Sequence, residues 1–269
     1  MPVKQLRIPD KIKKFIDHST SIKDLCLKTK HAYEAKNNGS PLVSIVIPAF
    51  NEENSIVQSL ASLSHNKTTH TFEIIVVNNN STDRTGELVV ACGVQCISEP
   101  EQGITKARNT GLKNAKGVYI LNADADTIYP ESWIELMTNP LIKDSKVALT
   151  YGKFSLIPVG NTGRGVYFFY EYISDLSRYI NKYFKDEAVN VYGFNSGFRR
   201  SQGVEVDGFN HPEGTNEDGW LAIKLRNNGF GALHLVTDNR AMVWTTDRRI
   251  QMDGGLFKAT IKRVKRILN

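Results

Sequence analysis

The sequence predicts an α/β protein with a mainly parallel central sheet flanked by helices, and three observations predict it. Apolar runs of strand length recur between residues 42 and 126, separated by segments whose apolar residues follow helical spacing. The runs are nearly continuous rather than alternating, so both of their faces are expected to be buried under helices. Each of the three principal runs also ends in polar residues, at 48–51, 78–80 and 122–126. Ligands of open parallel sheets bind outside the carboxyl ends of the strands, so these clusters should converge on one crevice.

Residues 1–40 form an N-terminal helical extension. "DKIKKFIDHSTSIKDLCLKTKHAYEAKNNGS" mixes lysines with spaced apolar residues, and its Asn-Asn-Gly-Ser end is a breaker. "PLVSIVIPAF" is a buried strand, and "NEENSIVQSLASLS" a helix with Ile56, Leu60 and Leu63 on one face and Asn51 or Asn54 as cap. "FEIIVVNNN" is a strand and "STDRTGELVVACG" a helix, capped by Ser81 or Thr82 and closed by Gly93. A short strand "VQCIS", a helix "QGITKARNTGLKNAKG" and a strand "VYILNAD" complete the βαβ series.

Beyond residue 150 the alternation weakens. "GVYFFYEYISDLSRYINKYF" reads as a long aromatic helix that serves as packing surface, "YGFNSGFRR" as a turn and strand, and "TNEDGWLAIKLRNNG" as a helix ending at Gly229. Residues 41–250 are expected to form one domain. Residues 251–269 read as a basic amphipathic C-terminal helix, with Phe257, Ile261, Val264 and Leu268 on one face among Lys258, Lys262, Arg263, Lys265 and Arg266.

Composition narrows the class. The 269 residues are 41% hydrophobic and 23% charged, with a formal net charge of +6, as in a soluble globular protein with polyanionic partners. Three cysteines, Cys26, Cys92 and Cys96, form no CxxC pair and are expected to be inert thiols. No signal peptide and no transmembrane run is read, so the expected location is cytoplasmic, or peripheral at the inner face of a membrane through the basic tail. Nucleic acid is not an expected partner: no recognition motif appears, and the cations are not interleaved with stacking aromatics.

The chemistry is concentrated in two acidic clusters. In "YILNADADT" an apolar strand ends in Asp124 and Asp126, whose like charges call for something positive between them. Two carboxylates on a strand-end turn can share Mn²⁺ or Mg²⁺, the remaining ligands coming from water and a substrate phosphate. The bland reading is a solvated acidic turn. In "GTNEDGWLA", Glu217 and Asp218 open a helix, where capping is the structural explanation and general base for a hydroxyl nucleophile the chemical one.

Five segments in order, "VSIVIPAFNEE", "EIIVVNNNSTDRTGE", "EQGITKARNTGLKNAKGVYILNADADT", "YGFNSGFRR" and "TNEDGWLAIKLRNNG", resemble the family 2 glycosyltransferases. The resemblance runs from about residue 42 to 249. It implies the GT-A fold of nucleotide-diphospho-sugar transferases, a divalent cation, and inverting transfer of a sugar from a nucleoside-diphosphate sugar to a hydroxyl acceptor. It implies that Pro48, Phe50, Asn51 and Glu52 line the donor pocket, where Asn78, Asn80 and Ala125 are also expected. Asp124 and Asp126 become the metal-binding DxD pair, with Asp124 toward the ribose. Asn195, Ser196 and Gly197 become the acceptor-side floor with Trp220 beside it, and Asp218 the catalytic base with Glu217 as its neighbour. Arg248 and Arg249, in "TTDRR", would close on the diphosphate.

One departure bears on the donor. Asn78 and Asn79 stand where the family usually has Asp, and an amide both donates and accepts. A UDP-sugar is favoured, with GDP and CDP open. The acceptor could be lipid-linked, in polysaccharide or glycolipid synthesis. Lys106 and Arg108 read as solvated cations of their helix, of which Arg108 could reach the donor phosphates; His234 reads as a core histidine or a further metal ligand, and Trp133 and Trp244 as packing. A retaining transferase of the same fold, a sugar nucleotidyltransferase and a catalytically dead binding module are the other readings. The acidic "PAFNEEN" loop, where a nucleotidyltransferase needs a basic Gly-rich one, weighs against the second.

Overall fold

A computed structural model of the chain describes residues 5–261 except 18, 38, 161, 253 and 259. Helices α1 (Asp10–Ile16) and α2 (Ile22–Glu34) lead into β1 (Val43–Ala49). Then follow α3 (Ile56–Ser64), β2 (Phe72–Asn78), α4 (Thr85–Ala91), β3 (Gln95–Ser98), α5 (Ile104–Asn114) and β4 (Tyr119–Asn122). The series continues through β5 (Thr127–Ile128), α6 (Trp133–Lys143), β6 (Val147–Tyr151), β7 (Phe154–Ile157) and α7 (Arg164–Phe184). It closes with β8 (Ser196–Arg199), α8 (Arg200–Glu205), α9 (Glu217–Asn227), β9 (Ala232–Leu235), β10 (Val243–Thr246) and α10 (Arg248–Met252).

Among the described residues the main sheet has seven strands in the order β3-β2-β1-β4-β8-β6-β9. β1 pairs in parallel with β2 and β4, β2 with β3, and β6 with β9. β8 alone runs antiparallel to its neighbours β4 and β6. Both faces of the sheet are covered, as the unbroken apolar runs predict. Val43, Ile45 and Ile47 of β1 pack on one side with Leu60 and Leu63 of α3, while Val46 packs on the other with Ala107 and Leu112 of α5. The reversed strand matters for the site. Because β8 begins where β4 ends, with Ser196 opposite Asn122, the residues just before β8 are delivered to the carboxyl ends of the parallel strands.

The N-terminal helices share this core. Cys26 and Tyr33 pack in the cluster under β1, and the Tyr33 hydroxyl accepts the Ile74 N–H at 2.9 Å. Ile12 and Phe15 pack with Ala61, Met242 and Trp244. Lys11 and Lys67 both bond Glu131, at 2.7 and 2.8 Å, tying α1 to the body. A second sheet, β5-β10-β7, carries the chain from the DxD turn to the late arginines. Its strands are two to four residues long, too short for periodicity to reveal them in the sequence.

Several local expectations change. α3 starts after Ser55, not at an asparagine cap; Asn51 instead takes a left-handed turn (φ 54°) and accepts the Thr82 N–H at 2.9 Å. α4 starts after Arg84, three residues beyond Ser81, and Gly93 (φ 72°) ends it as expected. His234 lies exposed on edge strand β9, neither in the core nor in the crevice. The aromatic residues of α7 are largely exposed, and the helix packs through Tyr167, Tyr170, Glu171, Ser174 and Ser177. The basic tail falls mostly on residues 262–269, outside the described residues.

Candidate active site

The strand-end clusters meet as the topology requires, and each aspartate of the DxD pair faces a different arginine. Arg108, on α5 and only 2% exposed, donates to Asp124 Oδ1 at 3.0 Å. Its Nε lies 3.5 Å from Asp218 Oδ1, so one buried guanidinium joins the end of β4 to the start of α9. Arg108 is therefore not a solvated helix cation, whereas Lys106 is exposed and pairs with Glu101 at 2.8 Å. On the outer side Arg248 approaches Asp126 Oδ2 at 3.3 Å and also pairs with Glu52. Thr246 donates to Asp126 Oδ2 at 2.6 Å.

Electrostatics in this cluster are under tension. Burial raises the Asp218 carboxyl to about 7; Glu217 and Asp124 add to the rise, while Arg108 and the Gly193 N–H oppose it. Burial also raises Asp124, to about 6, with Asp126 adding and Arg108 opposing. Burial disfavours the Arg108 cation, yet Asp218, Asp124 and Glu217 together hold its pKa above the usual value. Three acids thus surround one buried cation. Asp218 is 12% exposed, and its Oδ1 and the Arg108 Nε and Nη1 have no hydrogen-bond partner within bonding geometry. Asp218 is also free of the capping duty, because Asn216 accepts the Gly219 N–H at 2.7 Å.

The remaining sequence-derived residues divide by position. Phe50 is exposed and Pro48 half-buried at the end of β1; Glu52 is anchored by Ser55 Oγ at 2.6 Å and donates its N–H to Thr85 at 2.7 Å. Asn78 Oδ1 accepts the Ser81 N–H at 3.2 Å, which fixes the amide orientation. Asn80 is exposed in a left-handed turn (φ 62°), and Ala125 is buried between the two aspartates. Glu217 and Trp220 are half-buried and Arg249 is exposed. Asn195, Ser196 and Gly197 sit deeper. Asn195 Oδ1 accepts the Trp133 indole N–H at 2.8 Å and its amide donates to the Lys153 carbonyl at 2.8 Å. Ser196 Oγ accepts from Asn122 at 3.0 Å.

Two residues here escaped the sequence reading. Tyr129 accepts the Asp124 N–H at 2.8 Å and donates to the Phe194 carbonyl at 3.1 Å, fixing the DxD turn against the residues before β8. Gly193 lies against the charge cluster so closely that a Cβ would stand 2.1 Å from Arg108 Nη2 and 2.5 Å from Asp218 Oδ2. Only the glycines of "YGFNSGFRR" signalled it. A separate cleft of ≈ 560 Å³ at the amino ends of the strands is lined by Tyr33, Glu73 and Lys116. Its Glu73 is already held by Ser44 Oγ at 2.6 Å and the Lys116 N–H at 2.7 Å.

The donor set fits a hard cation. Asp124 and Asp126 offer carboxylate oxygens from one turn, and among the described residues no third His, Cys, Asp or Glu joins them to make a closed cage. Two carboxylates completed by substrate phosphate and water is the arrangement Mg²⁺ and Mn²⁺ favour.

The architecture is the GT-A arrangement, and comparison with known proteins supplies the family. The glycosyl transferase family 2 profile matches residues 44–202, more than half of the chain, and the chain belongs to that family. The hyaluronan synthase of Pasteurella multocida is 35% identical over 119 residues, 42% of this chain and 12% of the synthase. The chain thus spans a small part of the length of several curated relatives it matches. Among solved structures, S. aureus TarS 1–349 in complex with UDP-GlcNAc superposes with a TM-score of 0.58 at 20% identity, covering 76% of this chain and 58% of that one. The mannosyltransferase PcManGT from Pyrobaculum calidifontis, in complex with GDP-Man and Mn²⁺, gives 0.55 at 18% identity, covering 91% and 76%.

Proposed function

We propose that the chain is a metal-dependent inverting glycosyltransferase that moves a sugar from a nucleoside-diphosphate sugar to a hydroxyl acceptor. The observation that carries the reading is the convergence of Asp124 and Asp218 on the buried Arg108, with Asp126 of the same turn facing Arg248 at the outer edge. In this reading the donor nucleotide lies over the ends of β1 and β2, against Pro48, Phe50 and Glu52. Asp124 and Asp126 would hold the divalent cation, which would supply positive charge to offset that of the departing diphosphate. Arg248 turns from Asp126 and Glu52 toward the phosphates, where its planar fork suits their oxygens. Asp218 takes the proton from the acceptor hydroxyl, and a carboxyl raised to about 7 is well matched to that task near neutral pH. With no protein nucleophile required, a single displacement inverts the anomeric centre.

Support for a nucleotide-sugar donor comes from the family and from neighbours crystallised with UDP-GlcNAc or with GDP-Man and Mn²⁺. Those two neighbours carry different bases. Asn78 holds its carbonyl toward Ser81 and its amide nitrogen against Gly86, so this position would offer a base an amide rather than the family's carboxylate. The test is calorimetric titration with UDP, GDP and CDP, with and without Mn²⁺, beside Asp126→Ala. Metal-dependent binding of one nucleotide that the substitution abolishes is the expected result. A folded protein that binds none of the three sinks the reading.

A further inference from the structure

Helix α7 turns many of its large apolar side chains outward. Its packed face is mixed: Tyr167 and Tyr170 pack with Leu156, while Glu171, 2% exposed, pairs with Arg164 at 3.0 Å and accepts the Leu156 N–H at 2.9 Å, with Ser174 and Ser177 buried beside it. Its outward face carries Phe169, Tyr172, Leu176, Tyr179 and Tyr183, with Phe184 just beyond. The spacing of the first five alternates three, four, three, four, the a/d repeat of a helix-packing seam, over about 21 Å of helix. The rings are already in contact along it. Phe168 meets Tyr172 edge-on at 5.2 Å, and Tyr179 and Tyr183 lie 4.7 Å apart.

Size separates this face from ordinary scattered exposure. Phe169 is 69%, Tyr179 57%, Tyr183 62% and Phe184 77% exposed. With Tyr172 these rings alone present roughly 600 Å², taking about 200 Å² for a whole aromatic side chain. Leu176 adds to that, bringing the face near the ~800 Å² each partner contributes to a standard interface.

Charge decides the kind of partner. Arg164, Arg178 and Lys182 each hold an acid, namely Glu171, Asp175 and Glu187. Helices that lie on anionic lipid carry a strongly cationic polar face, and these cations are already neutralised. A two-fold interface asks instead for one patch that complements itself, which a tyrosine-rich, charge-balanced seam does. We propose that α7 packs against α7 of a second copy of the chain, forming a homodimer through this seam.

Sedimentation of the full chain across a concentration series tests it. A monomer–dimer equilibrium is expected, and Leu176→Glu with Tyr179→Glu should raise its dissociation constant at least about tenfold. Val90→Glu, at an exposed apolar position on α4, should leave it unchanged. Both positions on α7 are exposed, and circular dichroism confirms that each variant is folded. Efficient cross-linking of Leu176→Cys between copies would support the seam directly. A chain that stays monomeric throughout, or a dimer indifferent to the α7 substitutions, overturns the proposal. So does a monomer that co-sediments with phosphatidylglycerol vesicles and loses that binding on Leu176→Glu, because the face would then belong to lipid.

Discussion

Asp218 sits where one proton separates stability from activity. Its folded-state pKa, about 7, stands above the ordinary aspartate value, so the folded protein holds a proton that the unfolded chain releases between about pH 4 and 7. Stability from this group is therefore present at acid pH and is lost as pH rises through 7. Asp218→Asn should raise the melting temperature above pH 7 by about 2–4 °C for each kcal/mol relieved. The same change should lower kcat by about 10²–10⁴-fold, and in the unsubstituted enzyme kcat/KM should fall as pH drops below about 7. Thermal melts and a pH–rate profile check both halves; an unchanged kcat would remove Asp218 from the chemistry. Gly193→Ala tests the same cluster from the backbone side. A methyl 2.1 Å from Arg108 Nη2 must displace the guanidinium or the carboxylate, and a shift of that order costs about 10²-fold in turnover. Normal kinetics for that variant would mean the cluster is looser than its packing.

At the scale of elements, the reversed strand β8 explains why sequence reasoning reached some of the site and not the rest. The DxD turn and the α9 acids were legible because strand-end and helix-start chemistry is local: an apolar run ending in Asp124, a helix opening on Asp218. What joins them was not, since Arg108 reads as one more cation on an amphipathic helix until α5 is laid against β1 and β2. Asn195 shows the converse. It lies beside the crevice in sequence, but its amide braces α6 to the turn after β6 through Trp133 and Lys153. Asn195→Ala should cost about 2–4 kcal/mol by stranding those two groups, with nucleotide affinity unchanged. Urea denaturation and calorimetry together separate a brace from an acceptor contact: a lost acceptor affinity with full stability would favour the latter. The exposed face of α7 was hidden for a similar reason, because helical periodicity shows that a stripe exists and not which side meets the body.

Across the whole molecule, the N-terminal helices are part of the same core as the sheet. Ile12, Phe15, Cys26 and Tyr33 are all buried against residues of the GT-A body. Each large apolar side chain buried is worth about 1.5–3 kcal/mol, so losing several approaches the total stability of a domain. A chain beginning at residue 41 should therefore lack a cooperative unfolding transition by calorimetry. A sharp transition near that of the full chain would show the extension to be dispensable.

Arg248 has a consequence for the order of events. It rests on Glu52 and Asp126, one acid expected at the nucleotide and the other expected at the cation. A metal that took the Asp126 oxygen facing Arg248 would cost the guanidinium that contact and leave it on Glu52 alone. A metal arriving with a diphosphate gives the arginine a new anion as it leaves the old ones. The two ligands are then thermodynamically linked, each tightening the other by the same factor. In a titration, free metal would then bind more weakly than metal offered together with a nucleoside diphosphate.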